Sequence, residues 1–581
     1  MVQLKLPFTP ASSHPSEENL FDCGLFRTLP KPMQEACQKN THLLSYLHML
    51  PIETLGVPQF YPTLNRKLGD LRQRNLLYPV SDDVTIHVLS AAGEERDWYI
   101  PVEPSLGVEL NGKMTRLETR LLDFASGFAN TTTSEERETA LLQTMDSVCQ
   151  VSENGEAPAN GHKQGWRSKL FSSHGNDKVT VSAQELQAMK YLVVRDKVGL
   201  GVLEPIIRDT YIEDVSCSGL GPIFLEHKVF KGMKSAINFD THDQLDEFVL
   251  RLSEQIKRPV TLRNPIVDAT LPNGSRINIV YGREVSQRGS NFTVRRFTDV
   301  PLSILELIEF GSLDYRMAAY LSMLLEEGMN VFVSGETASG KTTLLNALTT
   351  FVAPAAKVVS IEDTPEIQVP HANWIREVSK AARAGDKSAT VTMMDLLKAA
   401  LRQRPNLIII GEIRGEEGAI AFQAMQTGHA VMATFHAATV EKLIQRLTGN
   451  PINIPKTYVD NLNAVVIQSA VKLPNGKTGR RAISISEIVG YDPPSGSFSY
   501  IEIFRWNPAT DVFEFIGDKN SYLLEQKIAP KRGILPSKKL EIYAQIDRRA
   551  NVLRKLHDEK GVSGYYELLK VLSRAQQEGL W

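Results

Sequence analysis

At 581 residues the chain is too long for one core, and two to four domains are expected. A hydrophobic fraction of 42% with 23% charged residues suits a globular protein. No stretch approaches the roughly 18 apolar residues of a membrane span, and the opening Met-Val-Gln-Leu-Lys-Leu-Pro-Phe lacks a secretory pattern, so a cytoplasmic protein is expected. The formal charge of −2 gives no electrostatic case for wrapping nucleic acid, and Cys23, Cys37, Cys149 and Cys217 are too scattered to suggest a zinc site.

Residues 1–127 mix proline-rich pieces with apolar stretches such as Thr41 to Leu50, Val84 to Leu89 and Trp98 to Val102. They predict a small mixed domain with a helical part and a few strands, and no motif in it points to a chemistry. Over 128–180 the composition shifts to Thr, Ser, Glu, Asn and Gly, with one helix expected at Glu135 to Gln150. Val151 to Gly165 has almost nothing apolar to bury, so a flexible linker is expected there.

Ser182-Ala-Gln-Glu185 has the capping-box pattern and opens a helix towards Val198, the start of an α+β domain at 181–299. Strands are expected at Ile212 to Cys217 and Pro222 to His227, an amphipathic helix at Gln244 to Ile256, and two strands joined at Pro272-Asn273-Gly274. Arg276, Arg283, Arg288, Arg295 and Arg296 cluster here, and the plain reading of any one of them is a solvated basic face.

Beyond Pro301, helices at Ile304 to Phe310 and Tyr315 to Glu327 lead into a β/α alternation. Strands are expected at Val331 to Ser334, Lys357 to Ile361, Leu407 to Ile410 and Ala430 to Thr434, with helices at Thr342 to Phe351, Met393 to Arg402 and Gly418 to Thr427. Such alternation implies a mainly parallel sheet covered on both faces, with ligands beyond the carboxyl ends of its strands.

The first of these strands runs into Gly335-Glu336-Thr337-Ala338-Ser339-Gly340-Lys341-Thr342, a match to G-x-x-x-x-G-K-[ST], and Thr343 continues into a helix. The glycines let backbone N–H groups face anionic oxygens, Lys341 brings positive charge to the outer phosphates, and the Thr342 hydroxyl suits Mg2+. Glu362 and Glu412 fall at the ends of the next two strands, where a hydrolase needs one acid at Mg2+ and another to orient water. Strand-end acids also cap the loops that follow them, and that reading stands beside the catalytic one.

His429 and His436 flank the next strand. Seven extended residues span roughly 23 Å, so the two imidazoles cannot share a metal, and His436 is the one on the nucleotide side. The absence of an LSGGQ segment argues against a transporter cassette, and the absence of N-K-x-D favours ATP over GTP. Hairpins are expected at Lys472 to Tyr491 and Phe498 to Ile516, and terminal helices at 521–581.

The strings GETASGKTTLLNAL, SIEDTPEI, RQRPNLIIIGEIRGEEG and MQTGHAVMATFHA together resemble the type II/IV secretion superfamily of hexameric ATPases. PHANWIREV, QRLTGNPINIPK and SYLLEQKIAPKRGI resemble its archaeal branch, closest to the archaellum motor ATPases. The resemblance covers 182–581. It implies an α/β fold in which a RecA-like P-loop core at 300–520 is preceded by an α+β N-terminal domain and followed by C-terminal helices. ATP and Mg2+ would be the cofactors, with Thr342, Glu362 and Glu412 on the metal side. Glu362 would be the acidic-box glutamate and Glu412 the Walker B glutamate, one of them, Glu412 first, polarising water, and His429 and His436 would form a histidine box. An arginine of the Arg276 to Arg296 block, Arg276 first, would reach the nucleotide of a neighbouring subunit. The partners implied are five further copies in a homohexamer, a polytopic platform protein at the inner face of the cell membrane and a pilin-like filament, with no nucleic acid.

Overall fold

Val215, Cys217, Ile223, Leu225, Met233, Phe292 and Val294 lie on extended segments at alternate positions, so each segment turns one apolar row inward. In the computed structural model these rows line one core of a unit spanning 1–297, and a second unit spans 298–581. The structure describes residues 4–11, 21–91, 93–106, 108, 110, 112–124, 133–152, 178–271, 273–296, 300–380, 390–579 and 581.

The first unit is built on a ten-stranded sheet. The segments 1–127 and 181–299, expected as two domains, both contribute to it: Asp97–Val102 pairs in parallel with Lys231–Phe239, with Tyr99 opposite Ser235. Trp98, Tyr99, Ile100 and Val102 are buried on both faces of their strand, which suits a central strand rather than an edge. Ser182 caps the Ala183–Lys197 helix as its sequence predicts, Glu185 N donating to Ser182 Oγ at 3.1 Å and Ser182 N to Glu185 Oε2 at 2.8 Å. A second capping box, Thr133 with Glu136, opens the Ser134–Val148 helix within the stretch expected as a linker. The part of that linker at 153–177 lies outside the described residues.

The second unit has a nine-stranded sheet. Its strands are β1 (Val331–Gly335), β2 (Val358–Glu362), β3 (Trp374–Val378), β4 (Leu407–Ile413), β5 (Ala430–Phe435), β6 (Ala464–Lys472), β7 (Thr478–Asp492), β8 (Ser497–Asn507) and β9 (Val512–Phe515), in the order β3-β2-β4-β5-β1-β6-β7-β8-β9. From β3 to β6 every pairing is parallel; the three pairings that follow, β6 with β7, β7 with β8 and β8 with β9, are antiparallel. Val331, Val333, Val358 and Ile409 face one core, while Phe332, Val359, Ile408 and Ile410 face the other, so helices must cover both sides.

Strand β3 escapes the sequence pattern because it is half-exposed and carries Arg376 and Glu377 among its apolar residues. The terminal stretch 521–581 is part of the first of these two cores: Leu523, Ile528, Ile542, Ile546, Leu553 and Leu568 pack with Met317, Tyr320, Leu324 and Phe351. Glu487, fully buried on β7, is satisfied from that stretch and from the Tyr315–Glu326 helix, accepting from Tyr320 Oη at 2.6 Å, Ser521 Oγ at 2.5 Å and Leu523 N at 3.0 Å. No helix among the described residues is long and apolar enough to cross a membrane.

His42 in the first unit is 2% exposed, and burial pulls its pKa from 6.5 down to about 4. Below pH 6.5 the unfolded chain takes up a proton that the folded chain refuses, so stability present above pH 6.5 is lost as pH falls towards 4. Denaturant unfolding of His42→Leu beside the unaltered chain is expected to show the balance moving in favour of leucine by up to ~3 kcal/mol between pH 6.5 and 4. A difference independent of pH would contradict this account.

Candidate active site

The phosphate loop takes its shape from the fully buried strand β1 and the neighbour it pairs with. Gly335 lies opposite Gln468 of β6, and a Cβ added there would stand 2.0 Å from the Gln468 carbonyl oxygen, so no other residue fits. Ala338 and Gly340 are left-handed, with φ of 61° and 92°. Loop carbonyls are tied from within and from one flank: Ser339 Oγ donates to Glu336 O at 2.8 Å, Lys341 Nζ to Gly335 O and Glu336 O at 3.1 and 2.8 Å, and Arg480 Nε to Ala338 O at 3.1 Å. The Lys341–Leu348 helix begins here, its first turn holding Thr342 and Thr343, and its open N–H groups complete an anion cradle. Glu336, Thr337 and Ala338 are exposed at the crest of the loop, and burial lowers the pKa of Lys341.

Strands β2 and β4 are parallel neighbours that end side by side, bringing the two glutamates to the same edge. Glu362 is 1% exposed. Its Oε1 accepts from Glu366 N and Ile367 N, both at 2.7 Å, so it does cap the loop after its strand. Its Oε2 has no hydrogen-bond donor among the described residues, and the nearest cation is Arg376 Nε at 3.5 Å. Burial raises its pKa to about 7 against the pull of those two N–H groups and Arg376. Gly411 packs on this side chain: a Cβ there would meet Glu362 Cγ at 3.1 Å, so a larger residue, such as the aspartate many phosphate-loop proteins carry here, would press on it.

Glu412 belongs to β4 rather than following it, at an irregularity where the register with β5 shifts between Ile410 and Ile413. Arg414 Nη2 donates to its Oε2 at 2.5 Å. His436 Nε2 stands 3.0 Å from its Oε1 without hydrogen-bond geometry, leaving that oxygen without a donor among the described residues. Burial lowers the pKa of His436, the adjacent Glu412 carboxylate partly opposing it. Arg446 donates from Nη1 to the His436 carbonyl and lies over the Phe435 ring at 5.2 Å. Gly335, Glu336, Glu412, Arg414, His436 and Arg446 all line one cleft of about 610 Å3.

The structure therefore brings Lys341, Glu412 and His436 together beside the loop. His429 stands at the opposite end of β5, its Nδ1 3.1 Å from Thr427 Oγ1, and does not line the cleft. Arg276 begins the Arg276–Val280 strand in the first unit, paired opposite Arg295 and Thr270. Sequence reasoning passed over Arg376, Arg414, Arg446 and Arg480. Arg414 follows Glu412 by two residues in GEIRGEE and was within reach of the motif, whereas Arg376 and Arg480 enter through sheet order alone.

Glu412 Oε1, which lacks a donor among the described residues, with the glycine cradle and a buried lysine, fits a polyphosphate carrying a divalent cation, while Glu362 ends the neighbouring strand and does not line the cleft. Thr342, Glu362 and Glu412 are the residues that would face the cation. Among the described residues no group of three or more His, Cys, Asp or Glu could hold a metal ion.

A family model described as type II/IV secretion system protein matches residues 196–483. An uncharacterised protein of Methanocaldococcus jannaschii is 40% identical over 549 residues, covering 94% of this chain and 97% of that one. A second from the same organism is 48% identical over 251 residues, 43% of this chain and 90% of that one. The type IV secretion system protein PtlH of Bordetella pertussis is 30% identical over 231 residues, 36% of this chain and 68% of that one. With a phosphate loop, two strand-end glutamates and similarity of this extent, the chain belongs to the type II/IV secretion superfamily of ATPases.

Proposed function

We propose that this chain hydrolyses ATP with Mg2+ as a homohexamer and delivers the work to a platform protein at the inner face of the cell membrane, driving a filament of the archaellum or type IV pilus kind. The observation that carries the reading is Glu412: a cleft-lining carboxylate with one oxygen fixed by Arg414 and the other without a hydrogen-bond donor among the described residues, 3.0 Å from His436 Nε2. Such a group is built to accept a proton from water and orient it, while its fixed oxygen keeps the carboxylate from rotating.

Lys341 and the loop N–H groups neutralise charge on the transferred phosphoryl group. Mg2+ when bound would supply further neutralisation. Glu362, anchored by two N–H groups through one oxygen and without a donor on the other among the described residues, would serve the metal side. His436 borders the open side of Glu412 and is placed to respond to loss of the outer phosphate. Arg276 of a neighbouring copy would balance the charge that develops there.

Phosphate release per subunit is expected to rise with protein concentration for the unaltered chain and to stay low for an Arg276→Ala variant that still assembles. Turnover independent of concentration and indifferent to Arg276 would remove that arginine from the site. Glu412→Gln is expected to keep nucleotide binding while losing about 100-fold or more in turnover; unchanged turnover would point instead to a nucleotide-gated scaffold. A deletion strain is expected to stop swimming while keeping its surface pili, and the reverse pattern would assign the chain to a pilus.

A further inference from the structure

The cleft beside the phosphate loop has a second wall, the helix Val440–Thr448. The helix is amphipathic. Val440, Leu443, Ile444 and Leu447 are buried in one core of the sheet, while Lys442, Gln445 and Arg446, spaced i, i+3 and i+4, share the other face and line the cleft.

That face is cationic and unbalanced. Lys442 and Arg446 stand one helical turn apart, and like charges at this spacing repel. Neither makes an ion pair among the described residues. Glu441, the acid beside Lys442 in sequence, accepts from Tyr500 Oη instead. Across the cleft, Glu412 Oε2 is taken by Arg414, and Glu336 stands exposed at the loop crest without an ion pair among the described residues. An anion between the two cations would relieve their repulsion.

Arg446 is held in place rather than swinging in solvent. Its Nη1 donates to the His436 carbonyl, and its guanidinium lies over the Phe435 ring, 5.2 Å from the centroid. Both contacts are with the end of β5 that carries His436. A cation tethered by a carbonyl and a ring keeps its full charge for another partner.

The loop determines what that partner is. Its N–H groups and those of the Lys341–Leu348 helix surround the inner phosphates of a bound nucleotide. Gly335 and Glu336, whose carbonyls accept from Lys341 Nζ, form the near edge of the cleft. The group that projects past this edge is the outermost phosphoryl, and about 610 Å3 holds it together with an attacking water.

We propose that Arg446, assisted by Lys442, binds the outer phosphate of the nucleotide held by its own chain and thereby makes the site tell ATP from ADP. This rests on the reading of the cleft as an ATP site. Arg276 would come from a neighbouring copy, whereas Arg446 needs no assembly. Because Arg446 also holds the His436 carbonyl, arrival and loss of that phosphate are felt at the end of β5.

The test uses the full chain with Mg2+ and follows displacement of a fluorescent ADP analogue by ADP and by the non-hydrolysable imido analogue of ATP. Arg446→Gln, whose amide can still donate to the His436 carbonyl, is expected to bind the imido analogue about tenfold or more weakly, with ADP changed by less than about twofold. Arg446→Lys, which restores the charge, is expected to recover part of the loss, and Lys442→Gln to show a smaller loss of the same kind. Far-ultraviolet circular dichroism is expected to stay unchanged, and the loss to be equal at protein concentrations below and above assembly, read by light scattering. Equal weakening of both nucleotides would make Arg446 a support of the loop and overturn the proposal. So would unchanged affinity for the imido analogue, or a loss confined to the assembled state. Failure of the unaltered chain to bind either nucleotide would overturn the ATP reading itself and this proposal with it.

Discussion

The second unit depends on strands that are apolar on both faces. Val331 to Val333, Val358, Val359 and Ile408 to Ile410 are apolar, and alternate positions feed one core or the other. Along these central segments charge is left to the places where the strands end. The phosphate loop, Glu362 and Glu412 are therefore consequences of one constraint: β1, β2 and β4 release their chains at the same edge, and the polar residues that follow share it. The helix after the loop adds its open N–H groups at that edge.

Two glutamates delivered by the same rule end in different electrostatic settings. Glu362 is nearly enclosed, anchored by two backbone N–H groups, with its pKa pushed up to about 7 by burial. Glu412 lies at an irregular pairing, ion-paired to Arg414 and open to the cleft. The register irregularity and Gly411 lie side by side: a Cβ at Gly411 would press on the Glu362 side chain, and the next residue is Glu412.

Most of this site was legible because each of its residues adjoins a recognisable strand. The loop motif, the strand-end acids and His436 each sit next to an apolar run whose period identifies a strand. Features that depend on distant pairing were not legible. Arg480 reaches Ala338 only because β6 is the neighbour of β1 and β7 the neighbour of β6, and nothing near Arg480 announces that order. Strand β3 was hidden by its half-exposed edge position. The pairing of Asp97–Val102 with Lys231–Phe239 joins residues more than 100 positions apart, beyond the reach of any local pattern. Arg195 was invisible for a related reason: an arginine near the end of an amphipathic helix reads as solvated until Glu103 is found beneath it.

Glu487 bears on how this protein can be divided. A fragment ending near residue 520 would keep the phosphate loop and every strand of the sheet, and by its motifs would pass for a complete nucleotide-binding domain. It would also strip a fully buried carboxylate of Ser521 and Leu523 as donors while leaving Tyr320, and would bare the apolar faces of Met317 and Leu324. The smallest heritable piece of this nucleotide-binding fold thus includes its last helices, and gene fusions or rearrangements that break the chain between β9 and those helices should be selected against.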